Sequence, residues 1–337
     1  METKLLSQEN VADAARIIKS GGLVVMPTET VYGLGADAFN KQAVANIFKA
    51  KGRPMDNPLI VHIGAIQDLK RVVSEIPEKA LELAKAFWPG PLTMVLPKSD
   101  AVPDEVSAGL DTVAVRYPSH PLAETLILLS GTLIAAPSAN LSGSPSPTML
   151  KHVVDDMNGR VDAILDGGSC EVGLESTVLS LVSDPPRLLR PGGVTVDEIE
   201  SVIGKIELDP AVTEKLKEGQ KAASPGMKYK HYAPKARVII VKAGDEQYIR
   251  YVNSKKQQGV GAICFDEDAE KLSVPFFSLG AKNDQSAQAK NLFSVLRSVD
   301  KAGIELAYAR CPRLDGVGLA VYNRLIRAAG FEVIKLA

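Results

Sequence analysis

Cysteine is scarce in this 337-residue chain: Cys170, Cys264 and Cys311 stand far apart, with no CxxC pair. That spacing excludes a disulfide framework, and the three read as buried or incidental thiols of a reducing cytoplasm. No apolar run reaches the roughly 18 residues of a membrane span, so no membrane partner is expected. The start, METKLLSQENVADAARIIKS, mixes charges with apolar residues at helical spacing and lacks a signal-peptide core. Also missing are GxxxxGK[ST], GxSxG, HExxH and any Cys/His cluster with zinc spacing. No nucleophile sits beside a sequence-readable base. The polar residues therefore suit the positioning of charged substrates, not covalent catalysis or metal-hydroxide chemistry, and no protein-held metal is expected.

Charge of one sign is missing overall, but not locally. The formal net charge of −1 hides 18 Lys+Arg against 26 Asp+Glu in residues 1–207, and 6 against 3 in residues 208–235. Residues 236–337 carry 15 against 11. A front half at −8 is no general polyanion binder, so any phosphate there must be held by locally placed donors.

What is present is a two-part pattern, with hydrophobic residues at 45%, ample for a core. In residues 1–207, helix signals such as ENVADAARIIKS (Ser7 or Asn10 as cap, Gly21-Gly22 as stop) alternate with strands LVVMP, LIVHI, LTMVL, TVAVR and TLIAA. Some strands follow each other directly, so the sheet is expected to be mixed. Thr195-x-x-Glu198 opens a last helix as a capping box. From 236 to 337 the order is βαβ throughout, which reads as a small doubly wound parallel domain. Between them, residues 208–235 form a linker containing SPGMKYKHYAP, rich in aromatic and cationic hydrogen-bonders where a linker is usually Gly/Ser-rich.

Six polar stretches stand out. In PTETVYGLGADA, Gly33-x-Gly35-x-x-Ala38 fits a relaxed dinucleotide fingerprint, but PTETVY separates it from its strand. The competing expectation is a polar loop, Thr28-Glu29-Thr30, at a strand end, its glycines allowing close backbone approach. KAKGRPMDNPLIVH presents Lys51, Arg53 and Asn57 in a proline-stiffened loop suited to polyphosphate, although Lys51 and Arg53 also complement a helix C-terminus. His62 lies inside an apolar strand. DTVAVRYP and LLRPGG place Arg116 and Arg190 at strand ends before prolines, where an arginine fork can clamp carboxylate or phosphate. AAPSANLSGSPSP gathers Ser138, Asn140 and Ser146 in a loop able to cradle an anion, and GLESTVLS adds Ser176. Trp88, in AFWPGPLTMVL, is expected to anchor the core.

PTETVYGLG, KGRP with NPL and VH, WPGPLT, VRYP, PSAN with SG, ST and RPGG occur in the order found in YrdC-like proteins, and SPGMKYKHYAP is similar to the interdomain linker of their longer form. Each piece is weak and the ordered set is specific. The chain thus resembles the two-domain L-threonylcarbamoyladenylate synthase family. The resemblance implies an N-terminal YrdC-like domain with a twisted mixed sheet, a smaller Rossmann-like parallel α/β domain, and a linker acting as an active-site lid.

It further implies a nucleotidyltransferase. L-threonine, bicarbonate or CO₂, and ATP give threonylcarbamoyl-AMP and pyrophosphate, which feed N6-threonylcarbamoyladenosine in tRNA. By position, ATP falls to Lys51, Arg53, Asn57, Thr112, Ser138, Ser146, Arg190 and Tyr232. Threonine falls to Thr30, His62, Arg116 and Ser176, with Asn140 beside them; Lys51, Arg53 and Arg116 are the candidate catalytic residues. Lys228, Lys230 and His231 would flank Tyr232. Mg²⁺ would accompany the triphosphate, and the product would pass to the tRNA threonylcarbamoyl-transfer machinery. A double-stranded RNA-binding module is the competing class, with a weak RNA contact as its remnant.

Overall fold

A computed structural model describes residues 2–214 and 232–336. Lys228, Lys230 and His231 lie outside the described residues. Among the described residues there are two sheets, one of eleven strands and one of five.

The large sheet runs in the order Lys4–Leu6, Ala163–Leu165, Val24–Met26, Gly33–Asp37, Ile134–Ala136, Ile60–His62, Thr112–Arg116, Leu92–Pro97, Thr177–Ser180, Arg187–Arg190, Glu207–Leu208. It is mixed, as expected from strands that follow each other without a helix. Its centre is apolar on both faces, because helices such as Val11–Lys19 bury Ala14, Ala15 and Ile18 against it. Helices stop where left-handed glycines allow, at Gly52 and Gly131. The capping box at Thr195 and Glu198 forms. Trp88 anchors the core, buried with its Nε1–H donating to the Leu92 carbonyl at 2.7 Å.

The glycines of PTETVYGLGADA are a correction. They form no loop and no dinucleotide turn; Gly33–Asp37 is an internal strand, antiparallel to Val24–Met26 and Ile134–Ala136. A Cβ on Gly35 would stand 2.8 Å from Ile134 Cγ2, so the close approach it permits is between strands. At the first helix, neither Ser7 nor Asn10 caps with its side chain. The strand Lys4–Leu6 and the helix Asp104–Ser107 are too short to be read from the sequence, whereas Leu150–Met157, with Leu150, Val153, Val154 and Met157 at helical spacing, is a helix that the reading above omits.

The small sheet is wholly parallel: Phe276–Ser278, Val260–Cys264, Leu306–Arg310, Arg237–Lys242, Val333–Lys335. Helices Gln285–Lys301 and Gly318–Ala328 cover one face with a cluster that also takes in Val31 and Leu174 from the first part of the chain. No helix among the described residues is long and apolar enough to cross a membrane.

Candidate active site

Register decides what meets at the end of the large sheet. Ile60–His62 lies parallel to Thr112–Arg116 with His62 opposite Arg116, so the two side chains stand together. Two loops cross the same end, Thr28–Val31 and Pro137–Thr148. They are stitched by backbone bonds from Leu34 to the Pro137 carbonyl, from Ala139 to that of Tyr32 and from Tyr32 to that of Pro147, at 2.8, 2.8 and 2.9 Å. The result is a cleft of about 620 Å³, solvent at its mouth included.

The cleft is lined by Thr28, Thr30, His62, Arg116 and Ser176, and by Arg53, Ser138, Asn140, Glu175, Arg190 and Tyr232, with Arg190 in direct contact with Ser176. Arg116 and Glu29, 3% and 5% exposed, form an ion pair at 2.7 Å. Its alignment is not that of a hydrogen bond, and neither Glu29 carboxylate oxygen accepts one. Arg116 Nε donates to the Gly90 carbonyl at 3.4 Å. A charge so confined has little choice of orientation and is preset for an incoming carboxylate.

Ser176 is fixed from both sides. Its hydroxyl pairs with Thr93 Oγ1 at 2.7 Å, and Arg190 donates from Nε to its carbonyl at 3.0 Å and from Nη2 to its Oγ at 3.2 Å. This is possible because Gly192 presses on the same backbone: a Cβ there would stand 2.2 Å from the Thr177 nitrogen. Arg53 donates to the Asn57 carbonyl at 3.0 Å.

Several residues expected to touch substrate stand behind the wall. Lys51 is buried, its ammonium donating to the carbonyls of Ser138 and, at 2.6 Å, Asn140. Burial, then the nearby Arg53, holds its pKa well below the usual lysine value. Asn57 is fully buried next to it in the stiff loop. Ser146, also buried, donates to Glu175 at 2.5 Å. Thr112 opens the strand whose other end is Arg116, about 13 Å away at strand rise, and is not among the lining residues named above.

Glu175, Arg324 and the paired state of Glu29 escape sequence reading. Glu175 stands directly before Ser176, and Arg324 belongs to a helix of the small domain; what could have flagged both is a charge inside an apolar stretch. Burial raises the Glu175 carboxyl, but Arg324 and Arg190 outweigh it and the pKa is lowered.

His62 is neutral. Burial, then Arg116, lowers its pKa to about 3, and burial, then Arg297, lowers that of His152 to about 4. The unfolded chain binds these protons at higher pH than the native one, so stability is complete above the unfolded value of about 6.5 and falls as pH drops towards the folded values. The unfolding midpoint is expected to decline between pH 6.5 and about 4, and His152→Gln should flatten that slope; an unchanged slope in thermal melts would remove His152 from the account.

The chemistry of the donor set suits anionic ligands, because Arg53, Arg116 and Arg190 all line the one cleft. Among the described residues no group of three or more His, Cys, Asp or Glu could hold a metal.

Comparison with known proteins agrees with this inventory. Residues 16–192 match the Sua5/YciO/YrdC family, described as Telomere recombination, and residues 194–330 match Threonylcarbamoyl-AMP synthase, C-terminal domain. Threonylcarbamoyl-AMP synthase of Pyrococcus abyssi is 49% identical over 332 residues, 96% of this chain and 95% of that protein. The Bacillus subtilis protein of the same name is 48% identical over 330 residues, covering 96% and 94%. The crystal structure of P. abyssi Sua5 complexed with L-threonine superposes with a TM-score of 0.90 at 46% identity, covering both chains fully. A YrdC-like domain joined to a parallel α/β domain, with this cleft at the join, belongs to the threonylcarbamoyl-AMP synthase family, and so does this chain.

Proposed function

We propose that the cleft condenses L-threonine, CO₂ or bicarbonate, and ATP into threonylcarbamoyl-AMP and pyrophosphate. The observation that carries this is the pairing, in one cleft, of a buried arginine at the end of the sheet with two further arginines, Arg53 and Arg190. The threonine complex of the P. abyssi relative supports the threonine half. Threonine would lay its carboxylate on Arg116, with Thr30, His62 and Ser176 around it and Asn140 near by. ATP would lie against Ser138, Arg53, Arg190 and the Tyr232 lid.

The amine of threonine adds to CO₂ and loses a proton, giving a carbamate. A carbamate oxygen then attacks the α-phosphorus of ATP, and pyrophosphate leaves with the electron pair of the broken P–O bond. No protein nucleophile is required, because transfer to phosphorus depends on alignment and charge neutralisation. Mg²⁺ enters as part of the nucleotide. The cleft-lining carboxylate of Glu175 is engaged by Arg324 and Ser146, which leaves the ion to the phosphates. Neutral His62 suits this arrangement, since it orients a hydroxyl or amine without adding charge. Free cysteines favour a cytoplasmic setting, where the mixed anhydride would be used by the tRNA threonylcarbamoyl-transfer machinery.

The test is pyrophosphate release from ATP by the full chain, with threonine and bicarbonate omitted in turn. Release that requires both is the expected result. Release without threonine would assign another acceptor. No release, together with salt-dependent RNA binding, would move the RNA module forward; the front half at −8 argues against that outcome.

A further inference from the structure

Arg324 is among the largest wholly buried side chains of the described residues, 0% exposed, and it reaches beyond its own domain. It projects from helix Gly318–Ala328 across the join. Its Nε donates to Glu175 Oε2 at 2.7 Å and its Nη2 to the Glu175 carbonyl at 3.2 Å, while Nη1 is held by Asn323 Oδ1 at 2.8 Å. The guanidinium also lies 5.6 Å from the ring centroid of Tyr232, whose other neighbour is Phe293 at 5.3 Å.

Anchoring alone does not explain this. The same helix already holds the start of the linker, Asn323 Nδ2 donating to the Val212 carbonyl and Arg327 Nη2 to that of Ala211, each at 2.6 Å. A buried ion pair is a poor source of stability, because the desolvation of both charges cancels most of their attraction and apolar residues of equal volume serve as well. Glu175, however, lines the cleft together with the residues proposed for ATP. Its Oε1 receives the Ser146 hydroxyl, and the next residue, Ser176, is gripped by Arg190. Left uncompensated, Glu175 would set a negative charge where a triphosphate must come, and the like charges would repel.

We infer that Arg324, a residue of the C-terminal domain, is a positioning residue for the nucleotide: it neutralises and orients Glu175, and through it Ser146 and the Tyr232 lid. This rests on the synthase assignment above, and it gives the second domain a direct part in the ATP site.

The experiment compares the full chain with R324M, R324K, E175Q and E175Q/R324M. ATP affinity is read by calorimetry, KM for ATP and for threonine by pyrophosphate release, and folding by thermal melts. R324M is expected to weaken ATP binding and raise its KM about tenfold or more, R324K less so, with KM for threonine within about twofold. Because both residues act through one contact, E175Q/R324M should bind ATP no worse than R324M alone. Calorimetry keeps the two ideas apart: a wild-type chain that turns over while R324M binds ATP normally retains the synthase and overturns the inference. Parallel loss of affinity for ATP and threonine, or a lowered melting temperature with unchanged ATP affinity, would also overturn it. Should R324M fail to fold, R324K and E175Q carry the same comparison.

Discussion

Replacing Arg116 by alanine is expected to cut threonine-dependent pyrophosphate release by about a thousandfold while ATP affinity changes less than about threefold. The size follows from burial. Arg116 is 3% exposed at the sheet end, so a substrate carboxylate meeting it is stripped of water and loses its proposed partner when Arg116 is removed. Truncating one member of such a pair costs about 2–5 kcal/mol, and about 4 kcal/mol is a thousandfold. The asymmetry is expected because Arg53 and Arg190, the arginines proposed for the phosphates, remain in the cleft of the variant. The variant also strands Glu29, whose carboxylate has Arg116 as its ion-pair partner and would have to bind a proton or draw in water. A lowered melting temperature is therefore expected, and adding E29Q should restore it without restoring turnover. Equal loss of ATP and threonine binding in a folded Arg116→Ala protein would end the assignment of Arg116 to the carboxylate.

Much of this site was legible because it sits on strand ends. Arg116 before Tyr117-Pro118 and Arg190 before Pro191 announce a strand that stops and a guanidinium left at its edge; the structure brings both to one cleft. The loop from Pro137 to Ser146 was legible for its hydroxyls and prolines. Depth was not legible. Lys51 and Arg53, two residues apart on a helix end, have opposite fates, one turned under the loop and one facing the cleft. Lys51 is held under by the carbonyls of Ser138 and Asn140, 87 and 89 residues further on, while Arg53 turns to the nearby Asn57 carbonyl. Thr112, which the family resemblance gives to ATP, stands at the opposite end of its strand from Arg116. Partners from the second domain were least accessible, because nothing in the sequence around Arg324 says that its helix faces Glu175, 149 residues earlier. The order of elements in the second domain, by contrast, follows directly from its βαβ alternation, where the central strands Arg237–Lys242, Val260–Cys264 and Leu306–Arg310 are largely buried and read as apolar runs, while the edge strands are partly exposed.

Lys51→Met is expected to reduce both stability and turnover, with the melting temperature several degrees lower and pyrophosphate release down about a hundredfold. The ammonium gathers the carbonyls of Ser138 and Asn140 and approaches Asn140 Oδ1 at 3.4 Å. Asn140 in turn donates from Nδ2 to the carbonyls of Leu141 and Ser144, each at 2.8 Å, so one cation sets the path of the whole Pro137–Ser144 turn. Each buried carbonyl left without its donor costs about 1–3 kcal/mol. Methionine fills the volume of the side chain and supplies none of the three bonds, which separates the hydrogen-bonding role from packing. Because Ser138 is proposed to meet ATP and Asn140 also lines the cleft, both substrates should bind less well, and in proportion to the loss of stability. A lysine whose function is direct phosphate contact behaves otherwise: its removal lowers ATP affinity alone and leaves the melting temperature where it was. Measured side by side, calorimetric ATP and threonine affinities and the melting temperature of Lys51→Met therefore distinguish a lysine that shapes the loop from one that holds the nucleotide. The burial of its ammonium beneath Ser138 and Asn140 makes the first the expected result.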